Sequence, residues 1–406
     1  MTKFFVMNLR REMSGAGECA WVPLLFVAGA LVCVPARAVE GDTFTPYATY
    51  GVNYDDNLLR QPDYVRDSGT AVSDRWTRAA VGVRMDKEIG RQKLTADLSA
   101  NHSDYDRFNQ FNNDGQELKA NWNWVLGNQF SGNVGTSYSK ALTPFEDFRS
   151  LEPNMRVQQR NYIDASWRLH PSWQINTAYS RYDLRYELES QQPAERTLNT
   201  ADIGLDYLAS SGNKIGIVFR HSEGEYAYAP INTYSQNEVK AKVDWQVTGK
   251  TFVQFLGGWA KREYTTNPQR DSSVPSARLT AYWQATTKTA VSLGIWREIG
   301  ATDDLAANYA SNRGISLAST WDATSKIRVD ALLTSEKRDY NGVSVIQGLA
   351  PLDRSDDYRK ALLGVTYKPT RHLGIRASVY RAQLDSNITS ATYRTDGVQL
   401  STRYEF

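Results

Sequence analysis

The sequence predicts an all-β fold, a transmembrane antiparallel up-and-down β-barrel of about eighteen strands, with 16–18 as the expected range. Three observations carry this. Polarity alternates with a period of two along most of the chain of 406 residues. A hairpin unit of about forty residues recurs without a Pro- or Ser-rich linker. The connections alternate between tight and long. A period of two places successive side chains on opposite faces of a strand.

Taking the elements in order, Lys3, Arg10 and Arg11 precede an apolar run from Trp21 to Val34, and Ala36-Arg37-Ala38 gives the small-x-small pattern of a cleavage site. A signal peptide over 1–38 and a mature barrel over 39–406 are therefore expected. The run is shorter than the roughly twenty residues that a spanning helix needs. Cys19 and Cys33 both fall in the segment to be removed, which leaves no disulfide, thiol nucleophile or thiolate metal site. Removing 1–38 also takes away four basic and two acidic side chains, leaving 43 of each sign. That balance lacks the basic excess of a nucleic-acid binder. Mean hydropathy is negative because a barrel wall is apolar on one face only.

The most regular strand is Glu238 to Val247, where Val239, Ala241, Val243, Trp245 and Val247 alternate with Glu238, Lys240, Lys242, Asp244 and Gln246. The tight connection Thr248-Gly249-Lys250 follows, and an aromatic residue precedes this and similar joints: Trp124, Trp167, Tyr207, Trp245, Trp283, Trp321 and Tyr367. Indole and phenol rings settle where hydrocarbon meets headgroup, so these predict a girdle at one level of the barrel. An eighth tight turn spans Glu88 to Arg91. The alternate connections are long and polar: 55–73, 106–114, 142–154, 188–195, 227–232, 265–273, 301–306, 340–353 and 386–391. Short periplasmic turns and longer extracellular loops are the asymmetry of such barrels, and an even strand count puts both termini on the short-turn side. Backbone groups have no water to bond in lipid, so the first strand, Thr45 to Tyr54, must pair with the last.

That last strand sets Val398, Leu400, Thr402, Tyr404 and Phe406 against Gly397, Gln399, Ser401, Arg403 and Glu405. It resembles the closing strand of bacterial outer-membrane barrels. The resemblance implies that Tyr404 and Phe406 belong to the signal read by the barrel-assembly machinery, and that the surroundings are outer-membrane lipid.

Function rests on the face turned from lipid. Alternation directs Arg84, Asp97, Arg160, Asp164, Arg168, Asp206, Arg220, Lys240, Lys242, Asp244, Arg328, Asp330, Arg376 and Arg403 toward the lumen. So many ionised groups require a wet or ion-paired interior. At about eighteen strands, wall side chains alone do not fill the space. Lumenal aromatics are expected to be few, with Trp296 and Tyr380 the clearest. The loop aromatics Tyr64, Phe108, Phe111, Phe145, Phe148 and Tyr340 are expected to pack on one another rather than on a sugar.

The stretch PYATYGVNYDDNLLR at residues 46–60, within the secreted-barrel pattern above, resembles the EpsL-type outer-membrane proteins of exopolysaccharide-biosynthesis operons, in the beta-barrel porin type 2 group. The specific motif is Asp55, Asp56 and Asn57. The resemblance implies export or assembly of a secreted polysaccharide together with an inner-membrane and periplasmic synthesis apparatus. In physical terms the three residues are turn formers whose side chains bond nearby backbone amides, and two carboxylates with one amide fall short of a calcium shell. No cofactor or metal is expected.

Enzyme chemistry is not expected either. His102-Ser103 and His221-Ser222 have the residue types of a hydrolase, but neighbours on a strand point to opposite faces. Asp303-Asp304 and Asp356-Asp357 read as solvated loop acids. A passive diffusion porin and a non-conducting scaffold or adhesin stand as alternatives to export.

Overall fold

A computed structural model of the chain describes residues 43–301, 309–341 and 354–406. Eighteen antiparallel strands form one closed barrel. The first nine are β1 (Phe44–Asp55), β2 (Asp74–Ile89), β3 (Gln92–Tyr105), β4 (Asn113–Leu126), β5 (Phe130–Leu142), β6 (Met155–His170), β7 (Trp173–Tyr186), β8 (Arg196–Leu208) and β9 (Lys214–Glu225). The second nine are β10 (Tyr234–Thr248), β11 (Thr251–Tyr264), β12 (Ser272–Gln284), β13 (Thr289–Ala301), β14 (Tyr309–Asp322), β15 (Ile327–Asn341), β16 (Arg354–Tyr367), β17 (Leu373–Ser386) and β18 (Tyr393–Glu405). Strand count, turn positions and the alternation of short and long connections follow the sequence expectation. The segment 1–38 with its two cysteines, the acids Asp303-Asp304 and most of the loops expected at 301–306 and 340–353 lie outside the described residues.

Each strand pairs with its sequence neighbours, and β18 closes on β1 from Tyr47 opposite Glu405 to Asp55 opposite Gly397. The Phe406 amide extends the seam by donating to the Pro46 carbonyl at 2.9 Å. Closure satisfies the edge groups that lipid cannot. The ladder between β1 and β2 is short, running only from Phe44 opposite Met85 to Pro46 opposite Val83. Above it, side chains take over: the Tyr47 ring covers Gly82, where a Cβ would overlap it, and Asn53 Nδ2 donates to the Trp76 carbonyl at 3.4 Å.

The distribution of apolar side chains is inverted relative to a water-soluble barrel. On β10 Val239 and Trp245 are exposed while Glu238 and Lys240 are buried. Ile203, Ile217, Leu317, Leu333, Leu363, Val379 and Leu400 continue the exposed apolar band on other strands. Trp167, Tyr207, Trp245, Trp283, Trp321 and Tyr367 are also exposed, all beside the short turns. Phe130 stacks on Trp167 at 5.7 Å and Trp173 meets Tyr207 edge-on at 5.3 Å. An apolar belt rimmed by aromatic rings is the surface that a bilayer solvates, and the architecture is that of an outer-membrane barrel. No helix among the described residues is long and apolar enough to cross a membrane.

The one α-helix among the described residues, α1 (Asp63–Asp67), lies in the connection between β1 and β2. One of the four buried apolar clusters among the described residues sits at the long-loop end beside α1. There Leu58, Leu59, Trp76 and Phe111 pack with Tyr105, Phe108, Leu142 and Phe145. Phe111 contacts Phe145 at 4.8 Å and Phe108 at 6.0 Å, so these loop aromatics do pack on one another. Tyr64 stands apart on α1, exposed. Tyr340 is not a loop residue: it ends the inward face of β15 under Arg354, whose guanidinium lies 4.6 Å from its ring.

Candidate functional site

Register assigns the inward face strand by strand. Arg84 stands opposite Asp97, Arg160 lies between Ser137 and Tyr182, and Asp164 is opposite Asn133. Arg168 is opposite Gln174, which in turn is opposite Asp206. The same parity places Arg220, Lys240, Lys242, Asp244, Arg328, Asp330, Arg376 and Arg403 on that face.

The structure draws most of these into ion pairs. Arg220 grips Asp202 through two contacts of 2.8 Å. Lys240 meets Glu238 at 2.5 Å, Lys242 meets Asp206 at 2.8 Å, and Arg376 binds Asp330 at 2.6 Å. Arg328 pairs with Asp322 at 2.7 Å and Arg403 with Glu405 at 3.0 Å. Arg84 is 3.5 Å from both Asp97 and Glu405. Amides serve the remaining acids: Gln254 donates to Asp244 and Asn133 to Asp164, each at 3.1 Å. A carboxylate beside most of these cations keeps the wall hydrated without giving it a strong field of one sign.

The same parity rule also yields residues that the sequence reading left out. Arg278 on β12 grips Glu298 on β13 and lies 5.5 Å from the Trp296 ring. The Trp296 indole N–H donates to Glu336 at 3.0 Å, and Glu336 holds Arg338 at 2.6 Å. Asp356, expected in a solvated loop, is instead a fully buried residue of β16 clamped by Arg354 at 2.6 Å.

The expectation of few lumenal aromatics is overturned. Tyr47, Tyr162, Tyr182, Tyr234, Tyr264, Tyr282 and Tyr358 also occupy inward positions. Two physical facts hide them in a sequence. Phenol tolerates a wet wall, and near strand ends an aromatic residue reads equally well as girdle. Four of these seven rings are covered by arginines and so are not open to a sugar: Arg403 lies 3.7 Å from the Tyr47 ring, Arg262 3.9 Å from Tyr234, Arg270 4.1 Å from Tyr264 and Arg338 4.9 Å from Tyr358. Such stacks exploit the negative face of the ring.

At the long-loop end the lumen is crossed by chain. Asp55, fully buried at the end of β1, accepts from the Asn57 amide at 2.8 Å and the Thr395 hydroxyl at 2.5 Å through one oxygen. Its other oxygen takes Arg60 at 2.8 Å and the Tyr380 hydroxyl at 2.5 Å. Arg60 holds a left-handed backbone, φ 53°, which a non-glycine residue adopts only when its surroundings demand it. Burial by itself would lower the Arg60 pKa, but Asp55, then Tyr380 and Glu146, outweigh it and hold the guanidinium above its usual range. Asp56 accepts from the Asp396 amide at 2.7 Å, and Asn57 donates to the Arg394 carbonyl at 2.9 Å. The motif therefore ties the 56–73 connection to β18.

The 143–154 connection completes the mouth. Glu146 lies 3.7 Å from Arg60, and Arg149 reaches the β17–β18 connection and β18, donating to the Ser390 carbonyl at 3.3 Å with its guanidinium 4.8 Å from the Tyr393 ring. A loop leaving β5 is thus anchored beside the β17–β18 connection, so it passes over the inner space rather than along the rim. The hydrolase pairs do not converge: His102 bonds Asp114 at 2.8 Å on the outward face, while Ser103 is buried on the inward one. No cluster of three or more metal-ligating side chains occurs among the described residues.

Comparison with known proteins gives a matching family model, Putative beta-barrel porin 2, over residues 235–406, which spans β10 to β18 and leaves out the Asp55–Asn57 motif. No curated protein matches the chain. Among solved structures, OccK2 (OpdF) of Pseudomonas aeruginosa, determined in complex with glucuronate, is similar at 11% identity and a TM-score of 0.48, covering 90% of this chain and 97% of that one. The outer membrane protein OpdK of the same organism is similar at 9% identity and a TM-score of 0.47, covering 89% and 99%. A BenF-like porin from Pseudomonas fluorescens Pf-5 gives the same four values.

Proposed function

We propose that this chain is a passive diffusion porin of the outer membrane, admitting small polar solutes through a mouth narrowed by its own loops. One observation carries the reading: the 56–73 and 143–154 connections are locked across the mouth through Arg60, Glu146 and Arg149, above a wall of alternating ion pairs. A wall of both signs stays wet and gives neither cations nor anions a deep trap, which suits throughput of small solutes. The family description matched by β10–β18 supports the same reading.

Polysaccharide export, with its synthesis apparatus as partner, now has less behind it. The motif that suggested it, Asp55, Asp56 and Asn57, is engaged in holding the mouth together, and a locked mouth suits small solutes better than a polymer strand. On the porin reading the remaining partners are lipid and the assembly machinery acting on Tyr404 and Phe406.

The test is conductance of the refolded barrel in planar bilayers, with the exopolysaccharide of its own organism added to one side and small solutes in parallel liposome-swelling assays. A stable conductance, permeable to small solutes and indifferent to the polymer, is the expected result. Block by the polymer would move the assignment to export, and a folded barrel that conducts nothing would move it to a scaffold.

A further inference from the structure

On β13 to β16 the outward face carries a group of cations that the described residues neutralise only in part. Arg297, Arg313 and Lys337 stand directly opposite one another on β13, β14 and β15. Like charges directly opposite across strands are destabilising. Arg313 approaches Asp339 at 3.6 Å, while Arg297, Lys337 and Arg359 on β16 close no ion pair among the described residues. Asp357 faces Lys337 in the register without bonding it. Other outward cations are matched, Arg181 with Asp183 at 3.0 Å and Lys261 with Glu263 at 2.7 Å within one strand, and Arg381 with Asp396 at 2.6 Å across two.

The depth of this group is informative. Arg313 lies eight residues from the girdle residue Trp321 on β14. At about 3.3 Å per residue and a tilt of roughly 40°, that sets it about 20 Å above the girdle, close to the far edge of an apolar band about 25 Å tall. Headgroups of the outer leaflet meet the barrel at this level. Beside the cations, Ile315, Leu317 and Leu333 line a shallow outward groove of about 340 Å³, with Arg359 and Arg381 on its border. Arg381 is already committed to Asp396 at 2.6 Å, so Arg359 is the cation that the groove leaves available.

We propose that this sector holds a phosphorylated glycolipid of the outer leaflet, its phosphate on Arg313, Lys337 and Arg359 and an acyl chain along Ile315, Leu317 and Leu333. A phosphate group turns the like-charge row into charge-assisted hydrogen bonds, and the apolar floor beneath distinguishes a lipid from a free anion. The site is on the outside of the wall and is independent of what passes through the lumen.

The experiment is native mass spectrometry of the folded barrel in detergent with three probes: bisphosphorylated lipid A, the same lipid dephosphorylated, and inorganic phosphate. One bisphosphorylated lipid should be retained per barrel. At about fivefold per charge near a membrane surface, the combined variant R313Q, K337Q and R359Q should weaken retention on the order of a hundredfold. The Lys261→Gln variant, altered in an internally matched pair, should retain lipid as the native protein does. Equal retention of the dephosphorylated lipid, no loss in the combined variant, or competition by inorganic phosphate at the same concentration as the lipid would each overturn the proposal. Folding is read from gel mobility without boiling. If the combined variant does not fold, Arg313→Gln and Lys337→Gln are measured singly, each expected to lose about fivefold and an unchanged value in both overturning the site.

Discussion

The Tyr380 hydroxyl donates to the Asp55 carboxylate across 2.5 Å, joining β17 to the end of β1 over the intervening strand β18. Asp55 thereby collects donors from three parts of the chain at the place where the barrel closes, and Arg60 is the only cation among them. Closure of the barrel and narrowing of its mouth are therefore one structure.

Replacing Asp55 with Ala strands the buried Arg60 charge. Breaking one side of a buried ion pair costs roughly 3–5 kcal/mol, so a clear fall in the urea midpoint of refolding is expected. The double variant Asp55→Ala with Arg60→Met should recover part of it, because the charge left behind, on Glu146, is partly open to water. Equal losses in the single and double variants would contradict this account.

Arg149 is the far anchor of the 143–154 connection. Arg149→Ala removes both its hydrogen bond and its ring contact, and single-channel conductance should rise as the loop leaves the mouth. A Lys261→Gln control, on the outward face, should leave conductance as it is.

Gly135 lies under the Tyr162 ring, whose hydroxyl donates to Asn121 at 2.9 Å. A methyl group there overlaps the ring, and overpacking of this kind costs about 1–3 kcal/mol. Gly135→Ala should therefore destabilise the barrel in chemical denaturation. Adding Tyr162→Ser should relieve the clash, so the two changes together should cost less than their sum.

Leu333 and Leu332 are chemically identical neighbours on opposite faces of β15. An arginine at the lipid-facing position 333 should cost about 2–4 kcal/mol near mid-depth, whereas Leu332→Arg, facing the wet lumen, should cost far less. Similar losses at both positions would place the membrane band wrongly.

The sequence by itself determined the wall. Period-two alternation has only two solutions per strand, and the lipid face is recognisable because water would not accept so many exposed apolar side chains. From that came eighteen strands, the girdle at Trp167, Trp245 and Trp321, and the direction of residues such as Arg220, Lys240 and Arg376. Parity becomes ambiguous near strand ends, where rim and lumen both accept tyrosine, which is why Tyr234 and Tyr358 were missed.

Only the tertiary structure decided partnership. Asp55 and Asp56 read as local turn formers, yet they bond Thr395 and Asp396, about 340 positions away. Arg149 reaches Tyr393, and Arg297, Arg313 and Lys337 become neighbours through strand register alone. Alternation is a local property of the backbone and is written residue by residue. Which loop crosses the mouth, and which charges meet, depends on the closure of the sheet, which brings together segments whose sequences carry no trace of one another.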